Sequence, residues 1–420
     1  MSAVRELPDG GLVVENVRLA GGPERVDVTV EAGRLVRIAP AAAAEDTSRV
    51  LLPGFVDLHT HLREPGGETA ETIATGTRAA AAGGYTDVFA MANTDPVTDG
   101  VERVRDVRRR AARADARVHV VSAATMRQAG EELVDVAALR RTGVVLFSDD
   151  GHCVGDDGLV YRLLTELAER GGVFAQHAQS AGIAGAGVIN ERVAASVGCP
   201  GWPDAGEEAV VARDIAIARA TGGHLHVCHV STRRSVDLIR WAKQVGAPVT
   251  AEVTPHHLVL QDTDAVARGP ALKVNPPLRS AEDVRALREA VADGTIDVVG
   301  TDHAPHPART KARPWTEAAF GLTALETALP IVAGVLSSAS GTDWRRLTQV
   351  MSSVPASLGQ LPRVALAVGS AADLCVVETG PEYSLAVADH HSRSRNTPFD
   401  GHPVRHRVVL TMLGGRVTHS

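Results

Sequence analysis

The apolar run Val50-Leu51-Leu52-Pro53-Gly54-Phe55-Val56 passes directly into Asp57-Leu58-His59-Thr60-His61. An uncharged stretch of this length bounded by polar residues predicts a buried strand, taken here as Leu51–His59. In an extended segment residues i and i+2 point to the same side, so the two imidazoles at its end can converge on one metal ion. Alone, the pair also fits two polar residues that simply close a strand. The rest of the chain must supply further ligands.

Working outward, the sequence from Val50 to about Ala333 alternates short Val-rich runs with longer amphipathic segments, the pattern of repeated βα units with parallel strands. After the first strand, further strands are expected at Thr86–Ala92, Val118–Ala123, Val144–Ser148, Val173–His177, Leu225–His229, Val249–Val253 and Ile296–Thr301. Helices are expected between them, among others over Glu71–Ala82, Gly158–Arg170, Glu207–Ala220, Arg234–Gln244 and Glu282–Ala292. Such alternation predicts an α/β fold, a (β/α)8 TIM barrel, whose chemistry sits at the carboxyl ends of its strands.

The flanks read differently. Leu12–Ile38 and Asp373–Thr418 alternate like half-buried strands separated by Gly, Pro and Asp turns. Each is too short to bury a core alone, so both termini are expected to meet in one small β-sandwich domain, residues 1–49 with 362–420, beside a barrel at 50–361. Ala39–Ser48 and Leu361–Ala372 are the expected connections, and Ser337–Thr342 is expected to be a loop.

Composition excludes several classes. A net charge of −7 and a pI near 6.2 argue against a nucleic-acid surface, and the basic stretch Arg103–Arg110 carries Asp106 within it, as a solvated helix face would. Aromatic residues make up only 3% of the 420-residue chain, so the core must rest on Ala, Val and Leu rather than on stacked rings. Cys153, Cys199, Cys228 and Cys375 form no C-x-x-C pair, and no apolar run reaches membrane-spanning length. Reduced thiols in a cytoplasm, with no membrane or nucleic-acid partner, are therefore expected.

The carboxyl ends of the expected strands carry a non-random set: His59 and His61 on the first, Asp149 and Asp150 on the fourth, His177 on the fifth, His229 on the sixth, and Asp302, His303 and His306 on the eighth. Barrel strands converge at one mouth, so imidazoles and carboxylates from several of them can surround a pair of divalent ions. Zinc suits the mixed N/O shell, with Mn or Co as substitutes by ligand type. A metal pair needs a bridging anion. Lys243, Lys273 and Lys311 are the only lysines and none falls near the fourth strand, so a carboxylate is expected there, Asp150 ahead of Asp149. Two aspartates capping the following turn remain the alternative.

Over essentially the whole chain, these motifs resemble the amidohydrolase superfamily and, within it, the bacterial class I dihydroorotases. The resemblance is carried by Pro53-Gly-Phe-Val-Asp-Leu-His-Thr-His-Leu-Arg-Glu-Pro-Gly66, Ala90-Met-Ala-Asn-Thr94, Phe147-Ser-Asp-Asp-Gly151, Val227-Cys-His-Val-Ser-Thr232, Ala251-Glu-Val-Thr-Pro-His-His257, Asn275-Pro-Pro-Leu-Arg279, Thr301-Asp-His-Ala-Pro-His306 and Gly321-Leu-Thr-Ala-Leu-Glu-Thr-Ala-Leu-Pro330. It implies one zinc held by His59, His61 and Asp302, a second held by His177 and His229, and Asp150 shared between them. It further implies that Arg63, Asn93 and His306 grip a free substrate carboxylate, and that Asn275 and the backbone around Phe320 and Gly321 contact the ring, with His61 also facing substrate. The implied reaction is the reversible cyclisation of N-carbamoyl-L-aspartate to L-dihydroorotate in pyrimidine synthesis. It uses a hydroxide shared by two metals, and Asp302 is the proton carrier.

Two positions and one segment depart from the pattern: Gln179 stands where acidic residues are frequent, Val354 where Asn is usual, and the segment His306–Phe320 diverges. His256 and His257 are expected to make hydrogen bonds between loops, and His152, His224, His226, His390 and His391 have no assigned role. Two rival readings stay open. One is a hydantoinase- or allantoinase-like ring hydrolase, disfavoured by the missing lysine and by the Arg63, Asn93 and His306 clamp. The other is an inactive scaffold for aspartate transcarbamoylase, disfavoured by retention of all six ligands. The resemblance leaves open a homo-oligomer and a complex with that transcarbamoylase.

Overall fold

A computed structural model describes residues 4–8, 10–20, 22–42, 48–362 and 365–420. Part of each expected connection, residues 43–47 and 363–364, lies outside the described residues.

The fold is mixed α/β with parallel strands. Phe55–Thr60 pairs in parallel with Tyr85–Ala90, which pairs with Arg117–Val120. A second parallel set runs Leu146–Phe147, Val173–Gln176, His224–Val227, Val249–Val253 and Val298–Val299. Isolated parallel bridges join the sets at both ends, Ser122 with Phe147 and Thr60 with His303. Every residue of Phe55–Thr60 and of Tyr85–Ala90 is buried, as expected for strands covered on both faces.

The helices form where the sequence supplies both a start and an apolar stripe. Asp156 caps Asp157–Arg170 by accepting from the Leu159 N–H, and the helix buries Leu159, Val160, Leu163, Leu164 and Leu167, a 3–4 spacing that keeps one face inward. Thr72 and Ser280 start Ile73–Ala82 and Ala281–Asp293 with reciprocal capping boxes. Among the described residues, no helix is long and apolar enough to cross a membrane.

The expected first strand is in fact two. Arg49–Pro53 pairs antiparallel with Leu374–Ser384 and parallel with Leu12–Leu19, whereas Phe55–Thr60 begins the parallel set. The break falls at Gly54, where an added Cβ would lie 2.3 Å from the Thr86 side chain, so only glycine lets the chain pass there. Both halves are apolar and buried, which is why periodicity does not reveal the change of sheet.

Strands from both ends of the chain share one eight-stranded sheet. Its order runs Arg416–His419, Pro403–Leu413, Leu374–Ser384, Arg49–Pro53, Leu12–Leu19, Arg25–Glu31, Arg34–Pro40, with Val4–Glu6 also on Leu12–Leu19. Val14, Val28, Leu35, Leu51, Leu374, Val376 and Met412 form its own buried cluster. The expected loop at Ser337–Thr342 contains a short antiparallel hairpin, Ser337–Ser338 with Gly341–Thr342.

Candidate metal centre

The carboxyl ends of the parallel strands bring together all six side chains proposed as ligands. His61 Nε2 lies 3.0 Å from Asp302 Oδ1 and 3.3 Å from Asp150 Oδ2. His59 Nε2 lies 3.2 Å from Asp150 Oδ1 and 3.6 Å from Asp302 Oδ1. From the other side, His177 Nδ1 and His229 Nε2 stand 3.3 and 3.4 Å from Asp150 Oδ1 and 2.8 Å from each other. Asp150 is therefore central, with four imidazoles around its two oxygens. Asp149 faces away, accepting from the Ala124 and Thr125 N–H groups at 2.8 and 3.0 Å and from the Thr125 hydroxyl.

This donor set fits divalent cations. His59 Nε2 is buried without a hydrogen-bond partner, and the ligand atoms of His59, His61 and Asp302, like those of His59, Asp150 and His229, lie within 4.8 Å of one another. Burial opposes charge on His59, but Asp150 and Glu252 outweigh it and raise its pKa well above the usual imidazole value. The surplus negative charge that favours a proton there would equally favour a cation. Asp302 is also buried, yet its hydrogen bond from His61 and the nearby His59 hold its carboxyl below the usual range. Asp302 and His229 both have positive φ, 44° and 33°, a sparsely populated backbone region concentrated at functional sites.

Partners behind the ligands fix their ring orientation. Glu252 Oε1 sits 2.5 Å from His59 Nδ1, leaving Nε2 to face the centre, and His226 Nε2 stands 3.3 Å from the other oxygen of Glu252. Asn93 Oδ1 accepts from His61 Nδ1 at 2.9 Å, and Gln179 Oε1 accepts from His177 Nε2 at 2.9 Å. Asp57 accepts from the His59 N–H at 3.1 Å and from the Thr301 N–H and hydroxyl, tying the first strand to the last. Sequence reasoning gave Glu252, Asp57 and His226 no role. The available signal was a carboxylate inside the otherwise apolar strand Val249–Val253, because a buried charge needs partners.

A cavity of about 190 Å³ opens over the centre. Five of the six candidate ligands line it, all but the deeper His59, and so does every other residue expected to meet substrate: Arg63, Asn93, Asn275, His306, Phe320 and Gly321. Arg63 is half-buried at its edge, with Nε donating to the Pro305 carbonyl at 3.3 Å. His306 Nε2 donates to the Phe320 carbonyl at 2.6 Å, and burial together with Arg63 pushes its pKa down to about 3, so the ring is neutral. Asn275 Nδ2 donates to Gln179 Oε1 at 3.1 Å, while its Oδ1 is buried without a partner and available to a ligand N–H. Asn93 is already engaged through both ends of its amide, since Nδ2 donates to the Asp150 carbonyl at 3.3 Å.

The other histidines divide clearly. His257 bridges Thr254 and the Pro276 carbonyl, as expected of a link between loops. His256 does not: both of its buried ring nitrogens lack partners, and burial lowers its pKa to about 4. His303 faces Glu71 at 3.3 Å, away from the centre.

Comparison with known proteins follows the same division between family and fold. A sequence profile described as Dihydro-orotase-like matches residues 48–235. A protein of Streptomyces coelicolor named Dihydroorotase is 45% identical over 412 residues, covering 95% of this chain and 96% of its own. One of Mycobacterium tuberculosis with the same name is 44% identical over 420 residues, covering 97% and 98%. The chain belongs to the dihydroorotase family. Among solved structures, an L-hydantoinase (dihydropyrimidinase) from Arthrobacter aurescens superposes with a TM-score of 0.85 at 28% identity, covering 97% of this chain and 96% of the other. A dihydropyrimidinase from Brevibacillus agri shares the fold, with a TM-score of 0.81 at 22% identity. Dihydroorotase-family membership thus extends over nearly the full length, and hydantoinases share the architecture at much lower identity.

Proposed function

We propose that this chain is a zinc-dependent dihydroorotase that interconverts N-carbamoyl-L-aspartate and L-dihydroorotate in a reducing cytoplasm. The observation that carries the reading is the adjacency, within one small cavity, of the Asp150-centred ligand set and the half-buried Arg63 guanidinium. The first suits hydrolysis of an amide; the second suits a substrate with a free carboxylate, which a guanidinium matches in a bidentate fork. The full-length relatives named Dihydroorotase support the same substrate.

His59, His61 and Asp302 would hold one metal ion, His177 and His229 a second, with Asp150 between them. When bound, such a pair polarises a carbonyl oxygen and acidifies water. Asp302, held deprotonated at rest, accepts the proton of the attacking water and delivers it to the ring nitrogen as the amide C–N bond breaks. In the opposite direction Asp302 removes a proton from the ureido nitrogen as it attacks the side-chain carboxyl, then returns that proton to the departing hydroxyl, which leaves as water. Arg63 orients the carboxylate, joined by His306 once its single N–H turns from the Phe320 carbonyl to the substrate, and the free Oδ1 of Asn275 accepts a ring N–H.

The same proposal includes the architecture in its finer form. The bridges Ser122–Phe147 and Thr60–His303 support reading the parallel strands as a closed (β/α)8 barrel. The separate cluster under the terminal sheet supports a small β-sandwich domain from both termini, with the division falling near Gly54.

Turnover of the purified chain on L-dihydroorotate, hydantoin and allantoin tests the reading. Ring opening of dihydroorotate, and its synthesis from N-carbamoyl-L-aspartate, is the expected result. Preference for hydantoin or allantoin would overturn it in favour of another ring hydrolase.

A further inference from the structure

Asn396 lies in the long connection between strands Leu374–Ser384 and Pro403–Leu413, remote in sequence from every residue of the cavity. We propose that Asn396 is a positioning residue, whose side-chain amide sets the two loops that bind substrate in the register the reaction needs. This rests on the reading of Arg63, His306, Phe320 and Gly321 as the substrate edge.

One planar amide joins both loops. Asn396 Oδ1 accepts from the His306 N–H at 3.0 Å, and its Nδ2 donates to the Ala304 carbonyl at 3.0 Å and the Gly321 carbonyl at 3.2 Å. Its main-chain carbonyl also accepts from the Thr323 N–H at 3.3 Å. The loop backbones pair around His303 and Leu322, where Ala304 N–H donates to the Leu322 carbonyl at 2.7 Å, and the His306 ring reaches the Phe320 carbonyl further out. Just beyond that bridge the Asn396 amide takes the place of a peptide group, extending the pairing by one rung.

The position is demanding. An added Cβ at Gly321, whose φ is 126°, would lie 2.5 Å from Ala304 Cβ and 3.3 Å from His306 Nε2, so the loops touch where the amide binds them. Asparagine alone among small side chains offers one acceptor and two donors in a plane; aspartate keeps the acceptor but loses both donors. The segment carrying it is held firmly. Ser392 Oγ and the Arg393 N–H bind Glu71, Ser394 Oγ donates to the Ala70 carbonyl at 2.6 Å, and Arg268 donates to the Pro398 carbonyl at 2.5 Å. A fixed clamp on His306 and Gly321 matters because small displacements of binding groups lose much of the benefit of orientation.

Kinetics of Asn396→Ala and Asn396→Asp in the metal-loaded enzyme, with Ser394→Ala as comparison, test the proposal. Ser394 tethers the same segment through a hydrogen bond to Ala70, which lies on neither loop. Asn396→Ala is expected to raise KM for both dihydroorotate and N-carbamoyl-aspartate about tenfold, equivalent to about 1.4 kcal/mol, with a smaller fall in kcat and unchanged zinc content. Asn396→Asp, nearly isosteric but without the two donors, should raise KM at least as much, since a carboxylate oxygen would face the Ala304 and Gly321 carbonyls. Ser394→Ala should leave KM within about twofold, whatever it does to Tm. Unchanged KM in both Asn396 variants, or an equal rise in Ser394→Ala, would overturn the positioning role, as would zinc loss in the Asn396 variants. Should the wild-type chain turn over neither substrate, the functional reading falls instead.

Discussion

On one side of the cavity, His59, His61, Asp150, His177, His229 and Asp302 stand at the carboxyl ends of parallel strands or just past them; on the other, Arg63, His306, Phe320 and Gly321 stand on loops. The first side inherits its geometry from strand pairing, with Glu252, Asn93 and Gln179 fixing individual rings. The second is held by groups from elsewhere. Asn396 clamps it, and the Lys311 side-chain nitrogen, reaching the Lys273 and Ala319 carbonyls at 2.9 and 3.0 Å, braces its back. The residues proposed to converge on metal sit on rigid elements, while those proposed to recognise the substrate's carboxylate sit on loops that depend on distant parts of the chain.

If the strand side carries the chemistry, the largest effect should come from Asp302→Asn. Turnover is expected to fall by about 10³-fold or more while most bound metal stays, because the amide keeps an oxygen ligand but cannot carry the proton. Near-normal rates with full metal content would break the assignment. On the loop side, Arg63→Met should raise KM for dihydroorotate by roughly 10- to 100-fold with metal content intact, the range expected for loss of a charge-assisted hydrogen bond. An unchanged KM would remove the carboxylate clamp from the account.

Glu252→Gln sharpens the comparison from behind the ligands. It is expected to weaken metal affinity by about tenfold, read by chelator competition, with activity restored by added zinc, since partners of ligating histidines tune affinity without touching substrate. Loss of activity that zinc does not restore would place Glu252 in the chemistry itself.

The smallest effect concerns Lys311, whose pKa is lowered by burial and by Lys273 to about 7. The unfolded chain, with an ordinary amine, binds more protons than the folded one between about pH 7 and 10, so stability contributed by this residue rises with pH across that window. Lys311→Met should flatten that rise in a Tm-against-pH series. A profile identical to wild type would mean that the amine is not held in its neutral form.

The convergence of the six candidate ligands was legible because His59 and His61 sit two residues apart at the end of an apolar run, and because Asp150, His177, His229 and Asp302 end or directly follow expected strands. Local pattern predicts strand ends well enough to bring these residues together. The switch of sheet at Gly54 was not legible, since Leu51, Leu52, Phe55 and Val56 are apolar and buried on either side of it. Nor was Asn396, which meets His306 across 90 residues through contacts that leave no periodic trace. Glu252 falls between, conspicuous as a charge within a buried strand but without a partner nameable from sequence alone.

Dihydroorotate turnover measured against bound zinc, as a chelator strips the enzyme and zinc is then returned, decides whether the six converging side chains work through metal. The account predicts that activity disappears with the metal and returns as two zinc ions per chain rebind. Sustained turnover by the metal-free chain would contradict it.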